Sequence, residues 1–96
     1  MSVNARAIKA LRQRLGLTQQ AFASLLGLSF VSVNKWENGG STPTGLSAVL
    51  LELLESALRT HPHEDVTRTL RAAGGAPLDV VRTLTALERN DERTRS

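Results

Sequence analysis

Two short helical patterns separated by only two residues constrain the fold of this chain more than any other feature of its sequence. The first spans residues 18–26, the second spans residues 29–38, and Gly27-Leu28 lies between them. A turn this short that contains glycine makes consecutive helices cross at about 90–120°. Ala23 supplies the small side chain that such a crossing needs, and the glycine supplies a left-handed turn residue. We therefore expect two helices held at a steep angle.

The rest of the chain also has the apolar spacing of helices. Thr18 and Ser29 are expected to cap the two short helices at their N-termini. A helix that ends at Gly16 precedes them, and further helices are predicted at about 46–59, 64–73 and 77–89. No strand pattern competes with these. The sequence predicts an all-α fold, a compact bundle of five to seven helices in a single domain.

The apolar faces of the later helices predict the core. In the helix at 46–59 the expected inward stripe lies at i, i+3, i+4 and i+7 spacing, with Leu51 off its centre. Val66 and Leu70 are expected to point inward from the next helix. The remaining core predictions are Leu46, Val49, Leu50, Leu53, Leu54, Ala57 and Leu58 in the first of these helices, and Leu78, Val81, Leu84 and Leu87 in the last.

Composition excludes several classes of protein. The 96 residues include no cysteine, which excludes a disulfide scaffold, a cysteine-based zinc site and a thiol nucleophile. The longest apolar run, Ala48 to Leu51, is far too short to cross a bilayer, and the N-terminal segment lacks the apolar stretch of a secretory signal. A cytoplasmic protein with no membrane contact is expected.

Neither a metal site nor a catalytic site is predicted. His61 and His63, followed by Glu64-Asp65, lack a third well-spaced ligand, so a solvated segment at a helix end is the expected interpretation. There is no glycine-rich phosphate loop after a strand, and no histidine is spaced with a serine and an aspartate as in a catalytic triad. We expect a protein that is not an enzyme and that needs no cofactor.

Charge is divided unevenly along the chain. Residues 1–43 hold five basic side chains and one acidic side chain, whereas residues 44–96 hold seven basic and eight acidic ones. A segment nearly free of acids suits a polyanionic partner, because each carboxylate would repel phosphates. The polar outer side chains of the second short helix would suit entry into a DNA major groove. These side chains are Ser29, Ser32, Asn34 and Lys35.

The N-terminal half of the sequence resembles a known family. The segment Leu17-Thr18-Gln19-Gln20-Ala21-Phe22-Ala23-Ser24-Leu25-Leu26-Gly27-Leu28-Ser29 is similar to the Cro/phage-repressor (Xre-type) helix-turn-helix, as are Val33-Asn34-Lys35-Trp36-Glu37-Asn38-Gly39 and Pro43. The resemblance covers about residues 5–58 and implies a lambda-repressor-like DNA-binding fold. Residues 1–59 would then be the DNA-binding domain, residues 60–89 a helical extension and residues 90–96 a frayed tail.

The resemblance also implies roles for individual residues. Gln19 matches a phosphate contact at the start of the first short helix, and Arg12 and Glu37 match a partly buried ion pair. Arg14, with Arg6 and Lys9, would add electrostatic binding to DNA that does not depend on base sequence. The positions expected to face the groove, together with those expected to hold the second DNA strand, are Ser29, Phe30, Val31, Ser32, Asn34, Lys35, Thr42 and Thr44.

The chain departs from the family where bases are read. Phe30 and Val31 stand where Gln, Arg or Thr is common; they cannot hydrogen-bond to a base edge and would contact thymine methyls or sugar carbons. Alternatively, Phe30 packs inward as core or faces a partner protein. Trp36 is expected to be core. The loop Gly39-Gly40-Ser41-Thr42 lacks the basic residue often found there, so affinity would depend more on dimerisation.

The function expected from these features is a sequence-specific repressor that binds an inverted-repeat operator in double-stranded DNA as a homodimer. Residues 60–96 either dimerise or only cap the core. An alternative is an antitoxin that binds a toxin protein and represses its own operon, since Pro43-Thr44-Gly45-Leu46 and the end near His61-Pro62 resemble such proteins. A phage-derived regulator and a helical interaction module that no longer binds DNA are the remaining alternatives.

Overall fold

The computed structural model describes the backbone of residues 3–95 and the side chains of residues 3–89. Within these residues the chain forms helices only, which confirms the predicted all-α class. In this described part of the chain, no helix is both long enough and apolar enough to cross a membrane. In chain order they are α1 (Ala5–Arg14), α2 (Gln19–Leu26), α3 (Phe30–Glu37), α4 (Gly45–Thr60), α5 (His63–Ala72) and α6 (Pro77–Arg95).

The two short helices begin and end as their sequences predict. The Thr18 hydroxyl accepts a hydrogen bond from the Ala21 N–H at 3.1 Å, and the Ser29 hydroxyl accepts one from the Ser32 N–H at 3.0 Å. Gly27 ends α2 with φ of 72°, in the left-handed region. These caps confirm the predicted boundaries and fix how the chain turns from α2 into α3.

A single hydrophobic cluster contains residues from all six helices. It includes Ile8 of α1, Phe22 of α2 and Val33 of α3, each with no exposed side-chain surface. Trp36 is also in the cluster, as predicted. The extension contributes fully buried side chains as well: Val66, Leu70, Val80 and Leu84. Residues 60–89 therefore help to form the core of their own chain.

The buried face of α4 differs from the predicted one. Leu46 and Val49 were expected to point inward but are 45% and 48% exposed, whereas Leu51, expected off the centre of the stripe, is fully buried. Helix α4 is packed against α6 and also contacts α1 and α5, and these neighbours together bury Leu51 rather than Leu46 and Val49. Because the first half of α4 is apolar on several sides, its periodicity alone does not show which side a neighbour covers.

The buried face of α6 also differs from the prediction. Leu78 is 53% exposed, and Val80, which the sequence analysis left out of the core, is fully buried together with Leu84. Val80 and Leu84 are four residues apart and lie on one helical face, to which Leu78 does not belong. The helix also continues to Arg95 rather than ending at Arg89, because no glycine or proline interrupts it. The side chains of residues 90–96, where a frayed tail was expected, lie outside the described residues.

The loop between α5 and α6 packs directly against the turn between α2 and α3. A β-carbon built on Gly27 would lie 2.2 Å from the Gly75 carbonyl oxygen and 2.7 Å from Pro77 Cδ. A β-carbon built on Gly75 would lie 3.1 Å from the Ser24 carbonyl oxygen. The glycines allow two backbones to approach closely, and so the extension supports the turn that sets the angle between α2 and α3.

Candidate nucleic-acid interface

The outer side of α3 carries the side chains that the sequence predicted to face a DNA groove. Val33 and Trp36 anchor the opposite side of the helix in the core, with 0% and 7% of their surfaces exposed. Phe30 and Val31 are 43% and 61% exposed in the first turn, so the alternative in which Phe30 packs inward as core is wrong. We call the set of outer residues the α3 surface: Ser29, Phe30, Val31, Ser32, Asn34 and Lys35.

The predicted ion pair between α1 and the end of α3 is present. Arg12 Nε donates to Glu37 Oε2 at 2.7 Å and Arg12 Nη2 donates to Glu37 Oε1 at 2.9 Å, a two-point contact that orients both groups. The third guanidinium nitrogen donates to the Leu17 carbonyl at 2.9 Å. The side chains are only 15% and 4% exposed. The pair therefore ties α1, the start of α2 and the end of α3 together.

The pKa of Glu37 lies below its ordinary value. The main cause is that the Arg12 guanidinium donates hydrogen bonds to the carboxylate; burial opposes this by disfavouring the charged form. A hydrogen bond from Gln19 and the nearby charge of Lys9 lower the pKa further. The same contact with Glu37 raises the pKa of Arg12 above its ordinary value. Both groups are therefore charged at neutral pH.

A chain of side-chain amides extends from this ion pair to the α3 surface. Gln19 Nε2 donates to Glu37 Oε1 at 3.1 Å, and Gln19 Oε1 accepts from Asn34 Nδ2 at 3.0 Å. Asn34 Oδ1 in turn accepts from Asn38 Nδ2 at 3.2 Å. The sequence analysis treated Gln19 and Asn34 as separate contacts and did not single out Asn38. The structure brings all of them into one network that orients the amides.

The first turn of α3 contains a similar local contact. The Ser29 hydroxyl, which caps the helix, also donates to the Ser32 hydroxyl at 2.8 Å. Both serines lie on the α3 surface beside Phe30 and Val31. Lys35 is exposed one turn further along and makes no ion pair with any residue whose side chain is described. The lysine ammonium is therefore the one charged group that α3 presents outward.

The loop that follows α3 is packed beside the start of α1. Pro43 is buried, while Thr42 and Thr44 on either side of it are exposed. Thr44 precedes α4 but makes no side-chain capping bond. A cleft of about 210 Å³ between the loop and α1 is lined in part by Asn4, Trp36 and Thr42. Because Trp36 belongs to α3, the cleft places Thr42 next to the C-terminal half of that helix.

The structure does not place Arg14 beside the α3 surface or the loop that contains Thr42 and Thr44. Its Nη2 donates to the Leu58 carbonyl at 2.7 Å, near the C-terminal end of α4. Thr44 lies at the other end of that helix, about 21 Å away at 1.5 Å per residue. Arg12 and Arg14 are two residues apart on α1 and therefore point about 200° apart, so Arg14 lies on the far side from Glu37. No sequence signal marks this contact with a backbone carbonyl.

The ends of the helices differ in charge along the chain. The first turns of α1, α2, α3 and α4 contain no acidic residue. By contrast, α5 has Glu64 and Asp65 in its first turn and α6 has Asp79. The N-terminus of a helix carries a partial positive charge that acidic residues commonly neutralise. In the first four helices no acidic side chain of the first turn neutralises that charge, an arrangement that suits an external anion such as a phosphate.

No metal centre is found in the part of the chain that the structure describes, where no three or more His, Cys, Asp or Glu side chains cluster. His63 Nε2 lies 3.2 Å from Glu64 Oε1, and both side chains are more than half exposed. His61 Nδ1 lies 2.8 Å from the Thr60 hydroxyl. These contacts belong to the end of α4 and the start of α5.

Two capped helices that cross through a glycine turn, with the second anchored on one side and exposed on the other, define a helix-turn-helix protein. A family model for this class, HTH_3, matches residues 8–64, more than half of the chain. The chain belongs to this Cro/C1-type helix-turn-helix family. Members of the family are DNA-binding regulators and are generally not enzymes. Membership therefore supports a DNA-binding regulatory function. No curated protein and no solved structure matches the chain significantly.

Proposed function

We propose that this protein is a sequence-specific transcriptional repressor that binds an inverted-repeat operator as a homodimer. The observation that carries the proposal is the α3 surface, which is exposed at Ser29, Phe30, Val31 and Lys35 and partly exposed at its other two residues, while the opposite side of the helix is buried in the core. A helix held in this way can enter the major groove, where base pairs differ in their exposed groups. The site of action would be the DNA of the cytoplasm, and repression would follow from blocking polymerase at a promoter.

The residues divide into those that would read bases and those that would hold the backbone. We assign base contact to the α3 surface and phosphate contact to Gln19, Thr42 and Thr44, helped by the acid-free helix ends. Gln19 keeps one N–H for this purpose, because its hydrogen bonds to Glu37 and Asn34 use one N–H and one oxygen lone pair. Arg14 is left out of the assignment, since its guanidinium is bonded to the end of α4.

Dimerisation is supported by the exposed apolar side chains at the start of α4. Leu46 and Val49 are three residues apart, so they lie on one side of the helix, and each is nearly half exposed. They follow directly after the loop that contains Thr42 and Thr44. A second copy seated there would cover apolar surface, and binding to an inverted repeat would require the two α3 helices of the dimer to lie about 34–36 Å apart on one face of the DNA. The extension is less suited, because most of its apolar side chains contact their own chain.

Selection of bound duplexes from a random DNA library, at near-physiological salt and with sequencing of the bound fraction, tests the function. An enriched inverted repeat with half-sites about one helical turn apart is the expected result. Binding of that repeat should weaken steeply as salt rises, because phosphate contacts release counterions. No enrichment with folded protein would overturn the proposal and favour an antitoxin that requires its toxin partner.

The dimer is tested separately by sedimentation of Val49→Glu on the selected operator. We expect this variant to bind as a monomer with lower affinity. Leu78→Glu is the matched control, because Leu78 is equally exposed but lies on α6. If Leu78→Glu alone disrupts the dimer, the contact between copies lies in the extension instead.

A further inference from the structure

We propose that the α3 surface distinguishes base pairs mainly by the methyl group at C5 of a pyrimidine, so that it binds 5-methylcytosine where it binds thymine. This inference rests on the proposed DNA-binding function and specifies what that function reads. The argument depends on which side chains of the α3 surface still have unused binding capacity.

Three polar side chains of this surface, Ser29, Ser32 and Asn34, make hydrogen bonds within the protein. The Ser29 hydroxyl caps α3 and donates to Ser32, which reduces the capacity of both serines. Asn34 donates to Gln19 and accepts from Asn38, which leaves it one N–H and one oxygen lone pair and holds its amide in one orientation. The two-point amide contact that identifies adenine in the major groove requires the amide to align with the base edge, so this fixed orientation restricts it. Lys35 adds a charge, but a flexible ammonium discriminates less sharply.

Phe30 and Val31 are the exposed apolar side chains of the α3 surface. They are consecutive, 43% and 61% exposed, and lie in the first turn of α3, the part of a recognition helix that contacts base edges. An apolar side chain in the major groove gains free energy only by excluding water from another apolar group. Among the base edges the C5-methyl of thymine is the apolar group available there, whereas sugar carbons carry no base identity. Methylation of cytosine places the same group at the same ring position.

The charge of the neighbourhood favours DNA over an apolar protein partner. Lys35 follows Val31 by one turn on the same helix, and α3 contains no acid before Glu37, whose carboxylate is paired with Arg12. A phosphate-lined groove complements this combination of one cation and two apolar side chains. A protein partner is therefore the alternative outcome of the test.

The expected effect of each methyl is modest and measurable. Burial of one methyl group changes a binding constant by about fourfold, so two methyls in one half-site change it by about fifteenfold. We expect replacement of thymine by deoxyuridine, which removes only the methyl, to weaken binding by these factors at the positions under Phe30 and Val31. At the same positions, 5-methylcytosine should bind about fourfold more tightly than cytosine.

The experiment uses the full chain and the duplex obtained by selection, with one thymine replaced at a time and affinity measured by fluorescence anisotropy. Deoxyuridine in the flanking sequence is the control for general effects on the duplex. Equal binding of thymine and deoxyuridine at every half-site position would overturn the proposal while leaving sequence-specific DNA binding intact. A selected half-site without any thymine would overturn it as well. Failure to bind any duplex would remove the proposed function together with this inference.

Protein variants connect the effect to the residues. In Phe30→Ala, the replacement of thymine by deoxyuridine should weaken binding by less than twofold at one position. At the other positions the loss of affinity should be the same as in the unmodified protein. Val31→Thr keeps the shape of the side chain and replaces one methyl by a hydroxyl, and it should reduce the penalty at a neighbouring position. Both residues are exposed, so unfolding followed by Trp36 fluorescence should match the unmodified protein. An undiminished penalty in both variants would assign methyl recognition to other residues and overturn the proposal.

Discussion

The Glu37 carboxylate accepts hydrogen bonds from the guanidinium of Arg12, which lies 25 residues earlier in the sequence, and 2.7 Å separates Arg12 Nε from Glu37 Oε2. The same carboxylate also accepts the amide of Gln19. One nearly buried side chain thus joins the first three helices at the point where the exposed part of α3 must be held in position.

Glu37→Gln should lower the free energy of unfolding by about 2–4 kcal/mol, because it leaves the guanidinium of Arg12 partly buried without its counter-charge. Urea denaturation followed by the fluorescence of Trp36, the single tryptophan, measures this change. The matched control is Glu64→Gln, whose carboxylate is 73% exposed beside His63 and should contribute less than about 0.5 kcal/mol. Equal losses for the two variants would contradict a structural role for Glu37.

Acidification should destabilise the protein through Glu37. Its folded pKa is below the ordinary value of 4.5, so the unfolded state binds more protons in this range and the free energy of unfolding rises with pH. The stabilisation is complete above pH of about 4.5 and is lost as the pH falls below it. Denaturation of the unmodified protein and of Glu37→Gln from pH 7 to pH 3 should show two curves that converge at low pH. Parallel curves would contradict the assignment.

Gly27→Ala should destabilise far more than an ordinary glycine substitution. The left-handed conformation alone costs about 1–2 kcal/mol, and the new β-carbon would also collide with the Gly75 carbonyl. We expect a total loss of about 3 kcal/mol or more. Gly16→Ala separates the two effects, because Gly16 has φ of 70° but nothing within 4 Å of its added β-carbon. Similar melting temperatures for the two variants would indicate that the α5–α6 loop moves away without cost.

Leu84→Ala should cost about 2–5 kcal/mol, because it opens a cavity at a fully buried position of α6. Leu78→Ala on the same helix removes the same atoms from a side chain that is 53% exposed, and it should change stability by less than about 0.5 kcal/mol. Urea denaturation of both variants tests whether only Leu84 of these two predicted core residues is buried. Equal costs would support the predicted face, to which both residues belong.

Lys35→Ala should weaken DNA binding and change which bases are tolerated, whereas Arg14→Ala should leave affinity within about twofold. The reason is that Lys35 lies on the α3 surface, while Arg14 is bonded to the Leu58 carbonyl on the other side of α1. Anisotropy titrations over a range of salt concentrations measure both variants, and a lost phosphate contact would lower the salt slope by about one. A comparable loss in Arg14→Ala would return that residue to the DNA interface.

Local signals predicted much of the fold and of the candidate site. The caps at Thr18 and Ser29 and the left-handed Gly27 depend on local residue types at fixed spacing, and each was confirmed. The pair Arg12–Glu37 was implied by the resemblance to the family, and the structure contains it. Exposure of Phe30 was left open by the sequence because an aromatic side chain suits a core and an interface equally well.

Contacts between distant segments were not predictable in the same way. Periodicity marked Leu78 as buried and missed Val80, because the packing of α6 on α4 decides which face is covered. The approach of Gly75 to Gly27 leaves no trace in either segment beyond the glycines themselves. The amide network through Gln19 and Asn34 likewise depends on how α2 and α3 cross, which a linear pattern describes only approximately.

The similarity to other helix-turn-helix proteins ends at residue 64, but the hydrophobic cluster continues to Leu84. The end of the family match is therefore not the end of the hydrophobic core in this chain. Helices α1–α4 and the helices that follow them should melt in one transition, and a fragment cut at residue 64 would lose the loop that packs against its own turn. A molecule that binds residues 60–89 should therefore change the free energy of unfolding of the whole chain.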